Sequence, residues 1–341
     1  MSAADSELAI EVEQLHKWFG KVHALRGVDF SVPRGTVLGM LGPNGAGKTT
    51  AVRVLTTLLR PESGRARIDG YDVVHDAAAV RRCIGLAGQS TAIQIELTGR
   101  ENLEIMGRLN HMDRPLIKQR SEELLERFDL VDAADRVAKT YSGGMQRRLD
   151  LAASIIGEPS VLFLDEPTTG LDPNGRLGMW EILRELVARG ATLLLTTQYL
   201  DEADELADTI IVVDHGQVIA SGTADQLKDR VGGDVLEFSV PDRNLMDAAL
   251  RAIAGITDAS PQVDGETRRV TVSAGGKGSQ MLVEAVRRLD AAGVETVGLS
   301  LRRPSLDDVF LAVTGHAAEI DEDGATSRRR DRRTPAPAKE G

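Results

Sequence analysis

Two stretches of this 341-residue chain carry residue types that can move a phosphoryl group. Gly42-Pro43-Asn44-Gly45-Ala46-Gly47-Lys48-Thr49 fits G-x-x-x-x-G-K-[ST], the phosphate-binding loop. Its glycines let the backbone curl so that N–H groups point at phosphate oxygens. A helix that includes Thr50 adds the partial positive charge of its N-terminus at the same spot. Gly42 to Thr50 are therefore the candidate nucleotide contacts. Lys48 is suited to reach the β- and γ-phosphates, and Thr49 to offer its hydroxyl to Mg²⁺. The second stretch is Val161-Leu162-Phe163-Leu164-Asp165-Glu166, an apolar run ending in two carboxylates. Asp165 suits Mg²⁺, directly or through water, and Glu166 suits a general base for an attacking water. The chemistry these residues could do is hydrolysis of a nucleoside triphosphate.

That chemistry needs elements to hold it. The apolar run Val37-Leu38-Gly39-Met40-Leu41 predicts a buried strand into the loop, and Thr50 to Leu55 predicts a helix out of it. Strand, loop, helix is the context a phosphate loop requires. Acids at the tip of an apolar strand sit where ligands bind in parallel sheets. Ala191 to Thr197 predicts a further strand with Gln198 at its tip, and residues 209–213 and 217–220 a closing hairpin. Upstream, residues 8–13 alternate as a strand and a second strand is expected from Leu25 to Val32. Between them lie Trp18 and Phe19, in a chain with only 3% aromatics. Hairpin packing is the plain reading; the functional one is that Phe19 stacks on a purine face. Ile84 to Gly88 is another apolar stretch, ending at Gln89. Thr98-Gly99-Arg100-Glu101 is a capping-box signature opening a helical section. That section reads as a helical insertion over about residues 90–157. Ser142-Gly143-Gly144, within it, predicts a helix start with Ser142 as N-cap.

Composition narrows the class. The chain is 42% hydrophobic and 27% charged, as an ordinary globular protein is. A net charge of −11 argues against a general nucleic-acid grip. The single cysteine, Cys83, rules out an intrachain disulfide and suits a reducing compartment. No apolar run approaches the roughly 18 residues of a membrane span, and the acidic start carries no signal-peptide core. If the protein serves a membrane, another chain is expected to do the spanning.

The order of these elements resembles that of an ABC transporter ATPase. The phosphate loop, Gln89, Ser142-Gly143-Gly144, Leu164-Asp165-Glu166, Leu171-Asp172 and Thr197-Gln198 follow one another as in that family, over residues 8 to about 230. Residues 197–204 and 301–311 resemble the daunorubicin/doxorubicin-resistance (DrrA-type) exporter subgroup. The resemblance implies an α/β phosphate-loop core with an antiparallel β subdomain and the helical insertion. It implies two copies closing head-to-tail over two ATP molecules. Ser142, Gly143, Gly144 and Asp172 would then join the nucleotide site, with Ser142 meeting the γ-phosphate across the interface. Gln89 would touch Mg²⁺ and the attacking water, and the helical insertion would dock on a membrane permease. Two departures stand out. The family's Leu-Ser-Gly-Gly-Gln appears as Tyr141-Ser142-Gly143-Gly144-Met145, and Gln198 replaces the usual switch histidine.

Past residue 230 the pattern changes. Strands are expected over 235–240, 269–272 and 294–299, with helices over 245–253, 281–289 and 306–313. Residues 231–316 read as a small α+β domain without a catalytic set, serving regulation or assembly. Residues 317–341, charged and proline-containing, read as a disordered tail. A chain ending near Gly233 is therefore expected still to bind ATP. The functional expectation is an ATP-hydrolysing subunit at the cytoplasmic face of the membrane, powering export of a drug or lipid. A soluble or regulatory ATPase not coupled to transport is the alternative, kept open by Gln198.

Overall fold

The computed structural model describes residues 7–88, 93–230, 234–257, 260–265, 267–274 and 278–314. Strand β1 (Leu8–Phe19) turns at Gly20-Lys21 into β2 (Val22–Pro33). The alternation legible to Glu13 continues to Phe19 because the register shifts between Val12 and Leu15, which keeps Leu15 buried. Trp18 and Phe19 thus lie on the hairpin's first strand, not between its two strands. Strand β3 (Val37–Leu41), the phosphate loop and helix α1 (Lys48–Leu55) come next. Strands β4 (Ser63–Ile68) and β5 (Tyr71–Asp72) complete an antiparallel sheet in the order β2-β1-β4-β5.

Helix α2 (Ala77–Cys83) and strand β6 (Ile84–Ala87) return the chain to the central sheet. The helical section holds α3 (Gly99–Leu109), α4 (Arg114–Arg127) and α5 (Gly143–Ile155). Thr98 caps α3 in a full capping box with Glu101. Strand β7 (Val161–Asp165), helix α6 (Pro173–Ala188), strand β8 (Thr192–Thr197) and helix α7 (Leu200–Leu206) follow. Strands β9 (Thr209–Asp214) and β10 (Gln217–Gly222) form the antiparallel hairpin expected, before helix α8 (Ala224–Arg230).

The central sheet runs β10-β9-β3-β8-β7-β6. Strands β3, β7 and β8 are buried throughout, which is why β3, β7 up to Leu164 and the middle of β8 read as apolar runs. Their alternate residues feed two cores. Leu38, Met40, Phe163 and Leu194 join the antiparallel sheet and α1 on one face. Leu162, Leu164, Leu193 and Leu195 pack on the other face with the helical insertion and α6. In register, Leu41 pairs with Thr197 and Asp165 with Thr196. The tips of β3, β7 and β8 therefore end side by side, and their loops share one edge.

The last part forms a third sheet, β12-β13-β11-β14, from β11 (Val235–Ser239), β12 (Gln262–Asp264), β13 (Arg269–Ser273) and β14 (Val297–Arg302). Helices α9 (Met246–Ile253) and α10 (Gly278–Ala291) close its core around Leu236, Phe238, Val270 and Met281. Strand β14 starts at Val297 rather than Val294, because Val294 is buried in that core behind α10. The expected final helix, α11 (Leu306–Thr314), departs from this unit. Leu306, Val309 and Phe310 pack with Leu41, Leu200, Ile210, Val212 and Leu227 of the nucleotide unit. The tail 317–341 lies outside the described residues.

Candidate functional site

The phosphate loop leaves β3 with Gly42 and Gly47 against neighbouring backbone. A Cβ on Gly42 would come 2.2 Å from the Val213 carbonyl oxygen. Gly47 has φ +111°, and a Cβ there would come 2.7 Å from the Ala24 oxygen. Neither position accepts another residue without moving the chain. Lys48 is buried, and its Nζ donates to the carbonyls of Gly42 at 2.6 Å and Pro43 at 3.1 Å. The ammonium is thus held over the mouth of its own loop, where phosphate oxygens would meet it. Thr49 Oγ1 donates to Asp165 Oδ1 at 3.2 Å, and Thr196 Oγ1 donates to the same oxygen at 2.6 Å. Thr49 and Asp165 therefore form one oxygen corner. Two protein oxygens, with phosphate and water filling the rest, is the donor set that suits Mg²⁺.

Glu166 sits in the left-handed region at φ +53° and is buried. Its N–H donates to the Thr196 carbonyl at 3.0 Å, and Thr169 Oγ1 donates to its Oε2 at 3.5 Å. A non-glycine residue in this region costs of order 1–3 kcal/mol, and persists only where surroundings over-determine it. Here the strain turns the carboxylate toward the phosphate loop. Glu166 lines a cavity of about 320 Å³ together with Asn44 to Thr50, His215 and Gly216.

The β1–β2 hairpin walls the same cavity through Val22, His23, Ala24 and Arg26. The Trp18 ring stacks on His23 with centroids 3.7 Å apart and planes 8° apart. His16 Nδ1 lies 3.1 Å from His23 Nε2. Phe19 points to the other face of β1, where Lys17 Nζ sits 5.6 Å above its ring. The structure thus joins Trp18, not Phe19, to the residue on the cavity wall. Phe19 is not among the described lining residues, and neither are Ser142, Gly143, Gly144, Asp172 and Gln198. Ser142 caps α5, its Oγ accepting from the Met145 N–H at 3.2 Å, and Ser142 and Gly143 are exposed. Asp172 caps α6, accepting from the Gly175 N–H at 3.1 Å. Gln198 is half-buried just after β8. Gln89 lies outside the described residues.

Sequence reasoning missed three groups around the acids. Thr196 is a polar residue in an apolar strand, and that mismatch was its only signal. Arg147 follows the Ser142 motif in a run of charges that reads as a solvated helix face. Glu202 sits among other acids with no local sign of burial, yet it is fully buried, taking a hydrogen bond from Trp180 Nε1 at 3.3 Å. Burial raises its pKa above the ordinary 4.5. The folded chain therefore holds this proton more tightly than the unfolded chain. Its contribution is fully present below about pH 4.5 and is lost as pH rises through the folded pKa. Glu202→Gln keeps the shape and cannot ionise, so its melting temperature should match the parent's at pH 4.5 and exceed it at pH 8. The gain is roughly 2–4 °C for each kcal/mol recovered. Equal melting temperatures at both pH values would show that Glu202 does not titrate there.

A phosphate loop, an acid pair at the tip of β7 across β8 from it, and a mainly parallel sheet define a phosphate-loop nucleotide-hydrolysing protein. Residues 25–169 match the ABC transporter family. The chain belongs to that family, as one of its ATP-binding ATPase subunits. It is 52% identical over 319 residues to the daunorubicin resistance ATP-binding protein DrrA3 of Streptomyces coeruleorubidus, covering 93% of this chain and 99% of that one. It is 48% identical over 314 residues to the daunorubicin/doxorubicin resistance ATP-binding protein DrrA of Streptomyces peucetius, covering 91% and 94%. A solved structure of the ATP-binding subunit of an ABC transporter superposes with a TM-score of 0.61 at 28% identity, covering 66% of this chain and 93% of that one. The curated relatives extend over the C-terminal unit; the solved cassette covers about the nucleotide unit's share.

Proposed function

We propose that this chain is the ATP-hydrolysing subunit of a bacterial exporter, driving efflux of a hydrophobic drug or lipid through a separate membrane permease. It acts as two copies closed head-to-tail over ATP. The observation that carries this reading is the division of the site. Lys48, Thr49 and Glu166 face one cavity, while Ser142 and Gly143 stand exposed, and Gly144 half-buried, at the N-terminus of α5, outside it. A helix N-terminus with exposed N–H groups is an anion site in search of a phosphate. A second copy brings its own α5 to that place. No helix among the described residues is long and apolar enough to cross a membrane, so the reading needs a membrane partner. The names of the relatives supply the class of cargo.

In this reading the loop N–H groups and Lys48 hold the triphosphate. Thr49 and Asp165 would hold Mg²⁺, with Gln89 proposed as a further contact; the ion would neutralise phosphate charge. Glu166 takes the proton of the attacking water. Gln198 donates its amide to the γ-phosphate without being able to ionise. Phe19 or the Trp18–His23 stack carries the base. The experiment is co-expression with the partner membrane protein, following daunorubicin efflux from cells and ATP turnover in membranes. The parent should expel the drug, and Lys48→Ala should abolish both activities. Turnover that ignores the partner, with no efflux of drug or labelled lipid, would favour a regulatory ATPase, the reading that Gln198 supports.

A further inference from the structure

Arg147 lies in the first turns of α5, half-buried, with its guanidinium directed under the loop that follows β7. Its Nε donates to the Pro167 carbonyl at 2.8 Å and its Nη1 to the Gly88 carbonyl at 2.7 Å. Its Nη2 donates to the carbonyls of Asp165, at 3.4 Å, and Glu166. One side chain thus ties three places together. They are the helix that begins at Ser142, the residue just before Gln89, and the acid pair. The planar fork of a guanidinium can serve several fixed acceptors at once, which an ammonium cannot.

Glu166 explains why such a tie is needed. Its left-handed backbone is unfavourable and must be held from both sides. Thr196 accepts its N–H; Arg147 donates to its carbonyl. With both peptide groups pinned, the direction of the carboxylate is set. Arg147 also lies within electrostatic reach of the carboxylates of Asp150, Asp165, Glu166 and Glu202, so it supplies positive charge near the acid pair.

We infer that Arg147 is a positioning residue that sets the Glu166 carboxylate and links it to the Ser142 end of α5. Engagement of Ser142 by ATP held on a second copy would move α5, and Arg147 would carry that movement to Glu166. The inference rests on the reading of Glu166 as the base. A misplaced base costs rate rather than nucleotide affinity, because the phosphate loop binds ATP without it.

The test uses the full chain and four variants: Arg147→Met, Arg147→Lys, Glu166→Gln and the double variant Arg147→Met/Glu166→Gln. ATP affinity, turnover and melting temperature are measured on each. Arg147→Met should lose on the order of 100-fold in turnover while ATP affinity stays within about twofold of the parent. Arg147→Lys keeps the charge without the fork, and should recover only part of the loss. The double variant should be no slower than Glu166→Gln alone, because residues acting as one unit are non-additive. A double variant that is slower by a further full factor would overturn the inference. So would parental turnover in Arg147→Met, or a loss of affinity as large as the loss of rate. An active Glu166→Gln would instead remove the base reading itself. If Arg147→Met does not fold, Arg147→Lys decides. Full turnover there would show that charge suffices and the fork does not position anything.

Discussion

Glu166→Gln is expected to bind ATP as the parent does and to hydrolyse it at least about a hundredfold more slowly. The substitution keeps the size of the side chain and its hydrogen bond with Thr169, and removes only basicity. Asp165, the neighbouring carboxylate, cannot take over. Its Oδ1 is engaged by Thr49 and Thr196, and its place is the metal corner rather than the cavity. Glu166 is the carboxylate that lines the cavity with the phosphate loop. With hydrolysis stalled and binding intact, the closed pair of copies should accumulate. Size-exclusion chromatography with and without ATP and Mg²⁺ measures this alongside turnover. Parental turnover in the variant would take Glu166 out of the mechanism.

Phe310→Ala is expected to destabilise the nucleotide unit itself by about 3–5 kcal/mol, a large share of the 5–15 kcal/mol that stabilises a typical domain. Phe310, Val309 and Leu306 are each buried, and their neighbours belong to β3, α7, β9, β10 and α8. Leu41 among them is the last residue before the phosphate loop, and Leu200 follows Gln198 by two positions. Arg302 fixes the approach of this helix, bridging Glu237 at 2.8 Å and Asp308 at 2.6 Å. Asp308 in turn accepts from the Ser305 N–H at 2.7 Å. On these contacts, a chain ending near Gly233 is expected to keep its phosphate loop but to lose stability. Such a chain would expose the patch that α11 covers. Thermal unfolding with and without ATP reads the effect. A melting temperature equal to the parent's would show that α11 is dispensable to the nucleotide unit.

The local chemistry was legible because it is local. A loop of fixed spacing, an apolar run ending in two acids, and the Thr98 capping box each depend on residues within one turn or strand. The apolar runs of β3 and β7 likewise revealed strands buried on both faces, since that burial is written in the strand's own residues. Periodicity does not say what a buried face is buried against. The amphipathic pattern of 306–313 predicted α11 correctly, but not that it would leave the small sheet and dock on α7 and α8. The pairing of Asp165 with Thr196, and the reach of Thr49 to Asp165, follow from the order of strands in the sheet. Phe19 and Trp18 are neighbours in sequence and opposite in direction, so only the register of the hairpin could assign one of them to His23. Arg147 is the plainest case. A charged residue on a helix reads as solvated, because nothing nearby in sequence reveals the four carbonyls that two distant segments bring beneath it.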